Sequence, residues 1–190
     1  MADKQMTGFF INGFAIAHAS AAAWFAQTIV GDEAILVTLT TTMIISIAKI
    51  NGQKWSRSKA LSFLGLFTGR YVMTRSATFL VKWVPAIGNM VNSGVSYSTT
   101  EVLGWATYLF VTQGIPDTAC LSDEDISKLW RNAEKLKYEE NIEHDYNRMN
   151  AHDKRKFEKI MKRLRDKNLT NEELENKLNE LEKIAGKYIK

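Results

Sequence analysis

The sequence predicts an all-α protein, a compact apolar multi-helix module followed by charged amphipathic helices. Three observations carry that expectation. Only Pro85 and Pro116 interrupt 190 residues, which leaves long stretches free of the residue that most reliably breaks helices. Apolar runs longer than ordinary strands alternate with helix stop and start residues. Composition changes abruptly near Pro116: eight of the 25 Lys/Arg and four of the 21 Asp/Glu precede it, so seventeen of each fall from there on. The formal net charge of +4 therefore sits on the apolar half, and the boundary divides residues 7–115, a small-residue helical module, from residues 121–190, a charged helical appendage.

Element by element, the first helix is expected over residues 7–30, ending at Gly31-Asp32. A second follows from Asp32 or Glu33 to Ile50, with Lys49 near its negative end and Asn51-Gly52 as the turn. Ile, Val and Thr dominate residues 35–50 and favour sheet, but the run exceeds a usual strand and has no hairpin partner. Ser56 or Ser58 caps a third helix reaching toward Trp83, with Thr68-Gly69 and Thr74 as places for a bend. Pro85 excludes Val84 from the α region, so a break falls there. A fourth helix starts near Gly88-Asn89 and ends before Gly114.

After Pro116, Ser122 to Asp125 forms an acidic version of the capping box and begins a helix through Trp130 and Leu136. Another helix is expected over residues 152–167, with Phe157, Ile160, Met161 and Leu164 on one face. Thr170 to Glu173 supplies a further N-terminal box, and Leu174, Leu178 and Leu181 continue as a short heptad-like stripe. Two heptads are few for an independent coiled coil, so a hairpin packing on itself or on a partner is expected.

Charge positions bear on membranes, because a span needs about twenty mostly apolar residues. No charge lies between Lys4 and Asp32, although Asn12, His18 and Gln27 do; only fifteen residues separate Glu33 from Lys49. Arg70 and Arg75 interrupt the third segment and Glu101 the fourth. A water-soluble helical domain is therefore expected first, reversible membrane association second and multi-span insertion third. The lone Cys120 and the absence of a basic region before the first apolar stretch point to a cytoplasmic protein, peripheral to the inner membrane where it is attached.

The run WVPAIGNMVNSGVSYSTTEVLGW over residues 83–105 carries Pro85, Gly88, Asn89, Asn92, Thr100, Glu101, Gly104 and Trp105. It resembles the terminal signature of an uncharacterised bacterial family of small-residue helical domains, found attached to Era-like GTPases, in membrane proteins of the YcjF type and as stand-alone proteins. Gly69-Arg70, residues 43–52 and His18-Ala19-Ser20 follow in the order of the stand-alone members, so the resemblance covers about residues 8–112. It implies an α-helical module associated with a membrane or a regulatory partner, and it carries over no catalytic residue. The phosphate loop of the GTPase-linked members is missing here, so no nucleotide is expected as a ligand.

Candidate residues follow from charge and polarity in apolar surroundings. His18 sits among alanines, where a packed, hydrogen-bonded core group ranks ahead of a switch or ligand. Arg70 and Glu101 are charges in apolar segments, expected to pair with one another, to escape to solvent or to meet a partner. Pro85, Gly88 and Asn89 join them as structural or partner-contact positions. Glu140 and His144 stand four apart, but chance pairing ranks above a metal site, and no metal or cofactor is expected. Residues 154–167 hold eight basic and two acidic residues; neutralisation by flanking acidic helices ranks ahead of contact with anionic lipid, and specific nucleic-acid binding lacks a motif. The expected function is a non-enzymatic interaction or scaffolding protein, with self-association or a protein partner and reversible membrane attachment. A membrane-inserting pore or channel-like component is the alternative.

Overall fold

The computed structural model describes residues 2–25, 33–74, 93–115, 121–139 and 147–189. They form seven helices: α1 Ala2–Phe25, α2 Glu33–Ile50, α3 Arg57–Thr74, α4 Ser93–Thr112, α5 Asp123–Glu139, α6 Ala151–Arg163 and α7 Asn171–Ala185. The described residues contain no strand, and the fold is all-α.

Helix ends are set by local hydrogen bonds. Gly52 has φ +76°, its N–H bonds to the Lys49 carbonyl, and the Gln53 N–H reaches back to Ala48, which is the Schellman closure of α2. Ser56 accepts from the Lys59 N–H at 3.2 Å and caps α3, which runs unbroken through Thr68 and Gly69. Gly114, at φ +67°, ends the turn after α4. Ser122 and Asp125 exchange backbone and side-chain bonds, and Thr170 and Glu173 do the same, so both boxes read in the sequence are formed. Two starts differ from expectation. α1 begins at Ala2, because Lys4, Gln5 and Met6 are good helix formers although they precede the apolar run. α6 begins at Ala151, because the Asn150 side chain accepts from the Asp153 N–H at 2.8 Å.

The Ile-, Val- and Thr-rich run of residues 35–50 is a helix, not a strand, and its hydroxyl side chains are satisfied within it. Thr40, Thr41 and Ser46 donate to the carbonyls of Leu36, Val37 and Thr42. Thr40, Thr41 and Thr42 are buried, as are Leu39, Met43, Ile44 and Ile47 of the same helix.

α1 lies at the centre, running along α4 and also meeting α2, α6 and α7; α5 packs on α4 and α3. Glycines set the close approaches. A Cβ at residue 104 would lie 2.6 Å from Ile11 Cγ1, and one at residue 13 would run into the Phe157 ring. One apolar cluster takes Phe9, Phe10 and Phe14 from α1, Phe63 and Phe67 from α3, Trp105 and Phe110 from α4, and Trp130 from α5. Phe157, Ile160 and Leu164 of the α6 segment and Leu174, Leu178 and Leu181 of α7 belong to the same cluster. The charged half thus shares its core with the apolar half, and the stripe on α6 is used against α1, with Phe157 edge-on to Phe9 at 5.6 Å.

Candidate functional site

His18 is fully buried between α1 and α2. Its Nδ1–H donates to the Phe14 carbonyl at 2.8 Å, because a carbonyl can only accept; this assigns the proton to Nδ1 in the neutral ring. Nε2 then lies 3.0 Å from Thr40 Oγ1, whose single proton is shared between that nitrogen and the Leu36 carbonyl at 2.8 Å. Burial lowers the His18 pKa to about 4; its carbonyl contacts oppose the shift and the charge of Arg165 adds to it. The ring is therefore neutral at ordinary pH.

Glu101, on α4, meets Lys137 in the last turn of α5 at 3.2 Å, both side chains being mostly buried. Lys137 also donates to Ser98, one turn earlier on α4. Arg70 lies in α3, but its side chain lies outside the described residues, as do Pro85, Gly88, Asn89, Glu140 and His144. Sequence reasoning missed Lys137. Only the packing of α5 on α4 sets Lys137 opposite Glu101.

The basic run spreads around α6 in three directions. Phe157, Ile160 and Met161 face inward. Lys156 and Arg163 flank α7, where Lys177 pairs with Glu180, and Arg163 pairs with Asp166 at 3.2 Å. The Glu180 carboxyl is held below its usual range mainly by the Lys177 hydrogen bond, with the charges of Lys177, Lys156 and Lys183 adding to it. Arg155, Lys159 and Lys162 stand at i, i+4 and i+7 on the side opposite the core, exposed and without an ion pair among the described residues. Asp166, within the run itself, thus pairs with Arg163, and Glu180 of α7 lies near Lys156, while Arg155, Lys159 and Lys162 make no ion pair among the described residues.

Two further arginines anchor this region. Arg57 of α3 donates to the carbonyls of Lys167 and Leu169, at 3.2 and 2.7 Å, and so holds the turn between α6 and α7. Arg165 donates to the Ala17 carbonyl of α1 at 3.3 Å. Among the described residues no helix is long and apolar enough to cross a membrane, and no group of three or more His, Cys, Asp or Glu side chains is placed to hold a metal ion. Compared with protein-family models, curated proteins and solved structures, the chain matches none.

Proposed function

We propose that the protein is a non-enzymatic helical interaction or scaffolding protein that docks reversibly, from the cytoplasmic side, on an anionic membrane surface. The observation that carries this reading is the division of labour on α6: its apolar stripe is committed to the core, and the opposite side presents Arg155, Lys159 and Lys162, which make no ion pair among the described residues, with Glu158 as the acid beside them. A helix arranged this way meets a charged surface without inserting into it. The ridge spans about 10 Å along the axis at 1.5 Å per residue. Each basic residue near an anionic leaflet is worth about 1 kcal/mol, so the three residues of the ridge supply a few kcal/mol, enough for attachment that reverses. Exposed Tyr138 and Leu61, on other helices, are apolar contacts for a protein partner or a second copy. The resemblance through residues 83–105 supports an association of the same kind.

The test is flotation of the full-length chain with phosphatidylcholine vesicles containing phosphatidylserine. Wild type is expected to float, and a variant carrying Arg155→Gln, Lys159→Gln and Lys162→Gln to stay behind with unchanged thermal stability. Equal flotation of the two would remove the ridge as the docking surface.

A further inference from the structure

Between α6 and α7 lies a groove of about 610 Å³, lined by Lys156, Lys159, Lys162 and Arg163 from α6 and by Lys177 from α7. Asp166 and Glu180 are the acids in its lining, and both are already engaged: Asp166 pairs with Arg163 at 3.2 Å and Glu180 with Lys177. Lys156 stands within reach of the Glu180 charge without pairing with it, and Lys159 and Lys162 make no ion pair among the described residues. Five cations against two carboxylates leave a formal excess of three positive charges. Like charges gathered this way repel, so the groove gains from an anion that carries more than one charge. Ile160 contributes to the lining but is only 4% exposed and belongs to the core, so the chemistry of the groove is that of its charged rim.

We propose that this groove takes the phosphomonoester headgroup of an anionic lipid, of the kind phosphatidic acid carries, an inference that rests on the docking reading above and adds a choice of headgroup to it. Lys159 and Lys162 belong both to the outward ridge and to the groove, so a headgroup in the leaflet under the ridge lies beside the groove. A phosphomonoester carries a charge of about −1.5 to −2, and cations beside it favour its fully ionised form. Phosphatidylserine instead carries an ammonium beside its anionic groups, which the lysines repel. Lysine suits the task, since its ammonium is a flexible point charge and needs no fixed direction of approach. The volume, that of about twenty waters, leaves room for a glycerophosphate with part of its hydration.

Flotation of the full-length chain with phosphatidylcholine vesicles that contain either phosphatidic acid or phosphatidylserine, matched in surface potential, tests the groove. Wild type is expected to partition onto phosphatidic acid about fivefold more strongly, the factor expected for one additional cation brought against the headgroup. Lys156→Glu and Arg155→Glu change the net charge equally at neighbouring positions, one in the groove and one on the ridge. Both are expected to weaken binding overall, but only Lys156→Glu should remove the preference for phosphatidic acid. Lys156→Gln, a milder change, should lower it part of the way, and unchanged thermal midpoints check that each variant folds. Soluble glycerol phosphate at constant ionic strength separates the sources: displacement at concentrations below that of the lipid itself assigns a free phosphate ester and overturns the lipid as occupant. Equal binding of wild type to both vesicles overturns the groove and leaves the docking ridge standing, whereas binding to neither overturns both. A preference that Arg155→Glu lowers as much as Lys156→Glu does assigns the selectivity to the ridge and overturns the groove.

Discussion

At the scale of single residues, His18 and Glu101 show two ways of keeping a polar group inside. His18 stays neutral, so its contribution has a definite pH sign. The unfolded ring titrates near 6.5 and the folded one near 4. Stability is fully present above pH 6.5 and is lost as pH falls toward 4, by at most about 3 kcal/mol for this shift. Urea unfolding across that window should show the loss, and His18→Leu should flatten it; an unchanged slope would mean that the ring is not held neutral. Glu101 instead stays charged against Lys137. Replacing Lys137 by Met removes a charged partner of a mostly buried carboxylate and is expected to cost about 2 kcal/mol, less than for a fully enclosed pair because both side chains retain some water contact. Joint replacement of Glu101 and Lys137 by Leu and Met should cost less than the single change in denaturant titrations. A buried histidine was legible from its alanine-rich surroundings. Lys137 and Arg165 were not, since each acquires its meaning only from where α4 or α1 comes to lie.

At the scale of elements, the stops and starts were the most readable feature, because each rests on chemistry within a few residues. Gly52 and Gly114 adopt the left-handed backbone that their positions require, and Ser122 and Thr170 make their boxes. Asn150 escaped notice because its cap is followed by Asp153 rather than by the Glu or Gln of the usual pattern. Close helix approach was expected from the small residues, but only the packed structure singles out the glycines that enforce it. Gly104→Ala and Gly13→Ala are each expected to lower stability by about 1–3 kcal/mol, the usual cost of crowding a filled core, as measured by chemical denaturation. At Gly65 an added methyl would meet nothing within 4 Å, so alanine should be tolerated there and serves as the control.

At the scale of the whole molecule, composition divides the chain at Pro116, whereas its apolar core does not. Local signals announce that residues 121–190 are helical, but long-range packing decides what their apolar faces touch. Phe157 lies against Gly13 and Phe9, and Lys49 of α2 pairs with Glu182 of α7 at 3.0 Å. A fragment of residues 121–190 is therefore expected to give a helical circular dichroism spectrum without a sharp thermal transition, because its stripes lose α1; cooperative unfolding of the fragment would show that the appendage has a core of its own. The same packing ties fold to function. With its apolar stripe inside the core, α6 has only charge to offer a membrane, and that leads to a clear expectation for ionic strength. Flotation of the full-length protein with anionic vesicles should be strong at low salt and disappear at about 1 M, where the Debye length is about 3 Å. Retention on vesicles through high salt and a carbonate wash, or equal binding to neutral vesicles, would contradict surface docking and favour insertion of apolar helices instead.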